Sequence, residues 1–134
     1  MTVASIRNTQ TATTTGATSI TVTKPTGTAS GDVLLLYLAK DGSDSVTTGP
    51  TGFTYQSALS GVIGGTMEFR VFTRTADGSE GASFSFSSWG STEAAACYCV
   101  AIRDTAGIDV SGAILSSGNS SGETVAALTT TVND

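Results

Sequence analysis

Histidine is absent from the 134 residues. That removes the usual general base, every histidine-based nucleophile triad and most catalytic zinc sites. Cysteine is nearly absent: Cys97 and Cys99 are the two in the chain. At i and i+2 of a strand they face the same way, ~6.5–7 Å apart, so bridging them would need distorted geometry. They read as small buried hydrophobes, and a fold without disulfides is consistent with assembly in a reducing cytoplasm. Charge is scarce as well. Charged residues make up 13% of the chain, against about 25% in ordinary domains. The six cations are Arg7, Lys24, Lys40, Arg70, Arg74 and Arg103, and the net charge is −5. No basic footprint exists for counterion release, which excludes nucleic acid as a partner. No apolar run approaches the roughly 18 residues of a membrane helix, and Met1 to Gln10 has no apolar segment of a secretory signal. Neither a membrane nor a secretory route is expected.

Hydroxyls and glycine stand in the place of charge: 24 Thr, 18 Ser and 16 Gly. Hydrophobic residues still make up 39%, so the low charge does not signal disorder. A chain of this length fits one domain with a core of its own. No long segment has a 3.6-residue apolar period. Instead, β-branched and aromatic residues cluster in short runs separated by turn chemistry.

Residues 3–8 are expected to form a first strand or an arm, and the Thr-rich stretch 9–15 a connector that pairs weakly. Thr18 to Thr23 alternates, with Ile20 and Val22 on one face. Val33 to Ala39 is the most apolar stretch and suits a central strand covered on both faces. Lys40 to Asp44 and Thr48 to Gly52 read as loops, and Gly61 to Gly65 as a flexible connection. In Thr66 to Thr75, Met67, Phe69 and Val71 share one face. Glu68, Arg70, Phe72 and Arg74 share the other, which reads as solvated because it is mostly charged. Phe84 and Phe86 alternate with serines and are expected to point inward. Glu93 to Arg103 is a long strand with Ala94, Ala96, Tyr98, Val100 and Ile102 on one face, and Val125 to Val132 a last weak strand.

About seven to nine short strands with turns every 8–12 residues predict an all-β, antiparallel β-sandwich or jelly-roll-like fold. Residues 1–16 are expected to be a Thr-rich N-terminal arm or edge strand, and 17–134 the sandwich domain. The chain stops at Asn133-Asp134, directly after a strand. The domain is therefore expected to be incomplete at its C-terminal edge, or completed by another subunit.

Motifs for chemistry are missing. There is no Gly-x-Ser-x-Gly elbow, and Gly61 to Gly65 followed by Thr66 lacks the lysine of a phosphate loop. Three carboxylate pairs fit the composition of a glycosidase: Asp41 with Asp44, Asp77 with Glu80, and Asp104 with Asp109. Each lies in a Gly/Ser-rich turn, where Asp is favoured for backbone reasons. Asp41 to Asp44 falls short of the six to eight oxygens of a calcium loop. No cofactor and no metal site is expected. Asn119-Ser120-Ser121 fits the glycosylation sequon and reads as chance in a chain without a signal peptide. Trp89 and Phe53 are the candidate ligand-facing aromatics, weighed against packing in the core or at its rim.

One set of segments resembles a known family. It begins Ser19-Ile-Thr-Val22, Pro25-Thr-Gly27, Ser30-Gly-Asp-Val-Leu-Leu-Leu-Tyr-Leu-Ala39 and Asp41-Gly42. It continues Gly49-Pro-Thr-Gly-Phe53, Phe69-Arg-Val-Phe72, Arg74-Thr-Ala-Asp77, Glu80 and Ala82-Ser-Phe-Ser-Phe86, and ends Val100-Ala-Ile-Arg103 and Ile108-Asp109. Over about residues 17–132 this resembles a β-sandwich module of bacteriophage virion proteins, tail-fibre-like or head-decorating, also found in some bacterial surface proteins. The resemblance implies a non-catalytic structural role: a surface-exposed capsid decoration (cement) protein or a tail or fibre component. The expected partners are other virion proteins, in a homo-oligomer or a capsid or tail lattice. The expected location is the virion surface, after assembly in the host cytoplasm. The other function weighed is a carbohydrate-binding adhesin module, on a fibre or a bacterial surface, holding a host-surface glycan on exposed aromatics. Such modules usually continue with one more apolar strand, and this chain departs from that pattern at Asp134.

Overall fold

The computed structural model describes residues 4–42, 44–87 and 89–103. Among them are eight strands: β1 (Ser5–Ala17), β2 (Ser19–Thr23), β3 (Val33–Asp41), β4 (Thr54–Tyr55), β5 (Gly61–Ile63), β6 (Met67–Thr75), β7 (Ser83–Ser87) and β8 (Glu93–Arg103). One 3-10 turn, Ser57–Leu59, lies between β4 and β5. Every strand pairing is antiparallel. The larger sheet runs β1-β8-β3-β6-β4, with β5 also on β6; β2 and β7 form a second, two-stranded sheet. The chain is all-β and sandwich-like.

The two-residue period of β2 and β7 explains the second sheet. Ile20 and Val22 lie opposite Phe86 and Phe84, and all four are buried, while the Ser and Thr between them are exposed. This face closes on Leu34, Leu36 and Leu38 of β3, Phe72 of β6, and Ala95, Cys97, Cys99 and Ala101 of β8. The β3 strand is central, flanked by β6 and β8, as its unbroken apolar run demands. Pro25 and Pro50 each open a tight turn with glycine in third place. Thr28 N–H donates to Pro25 O at 3.2 Å and Phe53 N–H to Pro50 O at 3.0 Å. Gly27 (φ 79°) and Gly52 (φ 84°) occupy the left-handed position that such turns reserve for glycine.

The expectations for β6 and for Lys40 to Asp41 need correction. The β6 face read as solvated is the core face: Glu68, Arg70 and Phe72 are buried, while Met67 on the opposite face is 48% exposed. Alternation fixes parity but does not say which face turns inward. Here the charges go in because Glu68 and Arg70 pair with each other. In β8 the buried set facing the second sheet is Ala95, Cys97, Cys99 and Ala101, and Ala94, Ala96 and Tyr98 lie open on the other side. Lys40 and Asp41 are not a loop. The β3 strand runs through Asp41, and Lys40 is 1% exposed.

Two stretches without a clear apolar face also form strands. Ser5–Ala17 is one thirteen-residue strand, paired with β8 from Ser5↔Arg103 to Ala17↔Glu93. Gly61–Ile63 pairs with β6. The expected strand Val125 to Val132 and the suspected open C-terminal edge lie outside the described residues.

At one end, the Arg7 guanidinium holds the Asp32 carboxylate through Nε at 2.7 Å and a second nitrogen at 3.1 Å, and Ala29 N–H adds a third bond at 2.8 Å. Burial alone raises the Asp32 pKa; these bonds and the charge of Arg7 outweigh it and leave it below the ordinary 3.8. A carboxylate with a depressed folded pKa stabilises the fold above its unfolded value and loses that contribution as pH falls through the folded one. Asp32→Asn is therefore expected to cost about 2 kcal/mol at pH 7. The gap to the parent protein should narrow on acidification below pH 3.8. Urea titrations of both proteins from pH 7 to pH 2 check this; a gap that does not change with pH refutes it.

Candidate functional site

The open ground of this molecule is the face of the larger sheet turned away from β2 and β7. Register brings three strands' aromatics together there. Tyr37 lies opposite Tyr98 of β8 and Val71 of β6, and the next row sets Ala39 between Ala96 and Phe69. The Tyr37 and Phe69 rings stack at 5.8 Å with 27° between planes. Tyr98 is 41% exposed. Thr11 and Thr13 of β1 extend the two rows, opposite Tyr98 and Ala96.

The small side chains make a trough. Two adjoining hollows of about 470 and 380 Å³ share Thr13, Ala39 and Ala96. Tyr37, Phe69 and Tyr98 wall one hollow; Met67, Asp41 and Ala94 border the other. Burial in this packing raises the Tyr37 hydroxyl pKa above its ordinary value. The trough offers contact area and almost no ionisable chemistry.

A second groove, of about 610 Å³, runs between β7 and the Gly49 to Thr51 turn and is polar. Its charges are engaged. Arg74 donates to Thr51 O and Asp77 at 3.2 Å and lies 3.5 Å from the Glu80 carboxylate, which itself accepts Asp77 N–H at 2.5 Å. Asp77 accepts both the hydroxyl and the N–H of Ser79, which, with Arg74 beside it, lowers its pKa to about 2. So the pair Asp77 and Glu80 builds a turn, with Glu80 buried rather than solvated. Asp44 accepts the Ser91 hydroxyl at 2.9 Å. Asp104, Asp109 and Asn119 lie outside the described residues. Among the described residues, no cluster of three or more His, Cys, Asp or Glu side chains is placed to hold a metal.

Trp89 and Phe53 are not presented to a ligand. Trp89 is 4% exposed, with its indole N–H donating to Ala17 O at 2.7 Å. Phe53 is half-buried, edge-on to Phe84 at 4.9 Å. Trp89 went to the core because its indole N–H is satisfied there, and Phe53 packs at the core's rim. Tyr37, Phe69 and Tyr98 were the aromatics to notice: a tyrosine inside an apolar run and another between two cysteines. The cysteines are inert in place. Burial, with Cys99 beside it in the case of Cys97, pushes each thiol up to about 12. Iodoacetamide at pH 8 is expected to label neither thiol in the native protein and both in denaturant, read by intact mass; rapid native labelling refutes the burial.

The arrangement is an all-β, sandwich-like fold with a mostly apolar hollow on one sheet face. No protein-family model, no curated protein and no solved structure matches the chain.

Proposed function

We propose that this chain is a non-catalytic structural protein of a bacteriophage virion, exposed on the particle as a capsid decoration (cement) protein or as part of a tail or fibre. It works by packing. Its partners are copies of itself and neighbouring virion proteins, and the reading needs no cofactor, nucleic acid or membrane. The observation that supports it best is the largely apolar trough on the outer sheet face, floored by Ala39, Ala94 and Ala96 and edged by Met67 and Tyr98, with Lys40 and Asp41 at one end. A subunit of a lattice would bury such a patch against its neighbour. The resemblance of residues 17–132 to virion modules supplies the setting.

Ala96→Arg places a charge in the trough at an exposed position, so the fold is expected to survive. Supplied in trans during infection, the variant should enter particles at least tenfold less than the parent chain, by quantitative mass spectrometry of purified virions. Equal incorporation would sink the reading of this face. A second reading, a glycan-binding adhesin, has one observation in its favour: the stacked Tyr37 and Phe69 beside Tyr98, a flat aromatic surface of the kind sugar rings lie on. Binding on a glycan array that Tyr98→Ala abolishes would move the assignment there.

A further inference from the structure

The tripeptide Asp-Gly-Ser occurs at 41–43 and again at 77–79. At an Asp-Gly step the side-chain carboxyl can close on the next backbone nitrogen, because glycine puts no side chain in the way. Both glycines have a positive φ, 85° at Gly42 and 88° at Gly78. The local sequence and backbone are thus matched, and the surroundings are not.

At the second site the carboxylate is turned forward. Asp77 Oδ1 accepts Ser79 N–H at 2.8 Å and the Ser79 hydroxyl at 2.6 Å, and Oδ2 accepts from Arg74 at 3.2 Å. These bonds lower its pKa to about 2 and keep it an anion, the form that resists a nucleophile. At the first site the carboxyl is turned back on its own peptide: Asp41 Oδ1 accepts Gly42 N–H at 2.9 Å. The carbonyl of that same peptide group is held as well, since Lys40 Nζ donates to Asp41 O at 3.0 Å. Lys40 is 1% exposed, so water does not compete for the bond. A donor on this carbonyl draws density from the amide nitrogen and stabilises negative charge that develops on the oxygen.

We propose that Asp41-Gly42 is a self-modifying step, which isomerises in the folded protein to a β-aspartyl (isoaspartyl) linkage with Lys40 as the donor that promotes it. Gly42 N loses its proton and bonds to Asp41 Cγ, whose hydroxyl leaves. Proton and hydroxyl depart together as one water, and a five-membered succinimide remains. A water then adds to the ring carbonyl that Lys40 holds, the former Asp41 C=O, and the bond from that carbon to Gly42 N breaks. The chain now runs through Cγ, the former main-chain carbonyl is a free carboxylate, and the overall mass is unchanged. That carboxylate forms where Lys40 already donates, so a bond to a neutral carbonyl becomes a charge-assisted one. No ion pair involves Lys40 beforehand among the described residues. The inference is independent of where the protein works.

The parent chain supplies its own control. Folded protein is held at pH 7 for several weeks in heavy-oxygen water, which labels both products of succinimide hydrolysis. Trypsin cuts at Arg70 and Arg74, so Asp41 and Asp77 fall on separate peptides; electron-transfer fragmentation then distinguishes the two linkages. Native protein is expected to hold about tenfold or more isoaspartate at 41 than at 77. In denaturant the two identical tripeptides should convert at similar rates. Asp41→Glu changes an exposed side chain and cannot close the five-membered ring, so it should remove the signal at 41 and leave 77 as it was. Lys40→Met should slow conversion at 41 and raise the labelled aspartate relative to isoaspartate. Circular dichroism shows whether each variant is folded; if Lys40→Met is not, the native-to-unfolded comparison in the parent decides alone. Conversion at 77 equal to that at 41 in the folded parent, no conversion at 41, or a folded Lys40→Met protein with the parent's rate and product ratio overturns the proposal.

Discussion

Glu68→Ala is expected to destabilise the protein by about 3–5 kcal/mol, the cost of leaving a buried charge without its partner. The Glu68 and Arg70 side chains are 2% and 9% exposed and pair directly on the core face of β6. Both Glu68 oxygens also accept Val46 N–H, at 3.2 and 3.1 Å, tying the segment after β3 to the sheet. Without the carboxylate, Arg70 keeps only Ser45 Oγ at 3.0 Å, Gly61 O at 3.2 Å and the face of Tyr55, with the guanidinium carbon 6.0 Å from the ring centre. A cation so placed cannot recover its hydration. Total stabilities are about 5–15 kcal/mol, so the loss is a large share. Replacing both residues, Glu68→Leu with Arg70→Met, should cost clearly less than either single change, because neither member of the pair is left without the other. Denaturant melts of the two single variants and the double give the coupling directly. Additive losses would mean that the pair is not a unit.

Phe72→Ala is expected to lose a similar amount, about 3–5 kcal/mol, by a different route. Phe72 is fully buried, opposite Leu36 in the register of β3 and β6. Its ring joins the two sheets: it lies 5.2 Å from Phe86 of β7 and 5.3 Å from Tyr55 of β4. The turn at Gly49 closes over the same ring so tightly that a Cβ there would sit 2.5 Å from Phe72 Cδ1. Nothing nearby can collapse into the space without dragging that turn inward, so the cavity persists. Phe72→Leu should cost less than half as much, and Gly49→Ala, which overfills the same spot, about 1–3 kcal/mol. Melting temperatures of the three variants, ordered Phe72→Ala lowest, check the account; a Phe72→Ala protein as stable as the parent would remove this ring from the centre of the core.

The sequence made some of this architecture legible and hid the rest, for physical reasons. Ile20, Val22, Phe84 and Phe86 were readable because each alternates with Ser or Thr, so one face is apolar and the other is not. Val33 to Ala39 was readable because a run apolar on both faces belongs between two other strands. The β6 strand was misread because its two faces are both mixed. Charge favoured solvent for Glu68 and Arg70, and only the pairing of the two with each other and with Val46 turned that face inward. The β1 strand was half-legible: its threonines favour strand geometry, but with little apolar face it takes its place from β8. The trough was not legible, since Tyr37, Phe69 and Tyr98 come from three strands and meet only when the order β8-β3-β6 is known. Trp89 stayed open between ligand-facing and core because sequence does not show that Ala17 O accepts its indole N–H.

The claim that joins these parts is that the molecule is a packing subunit of a virion. Its most direct test is a mass-spectrometric inventory of purified, nuclease-treated particles from lysates in which the chain is expressed. The account predicts its peptides at a copy number comparable with that of the major capsid or tail proteins. Their consistent absence from intact particles, with the protein abundant in the infected lysate, would contradict it.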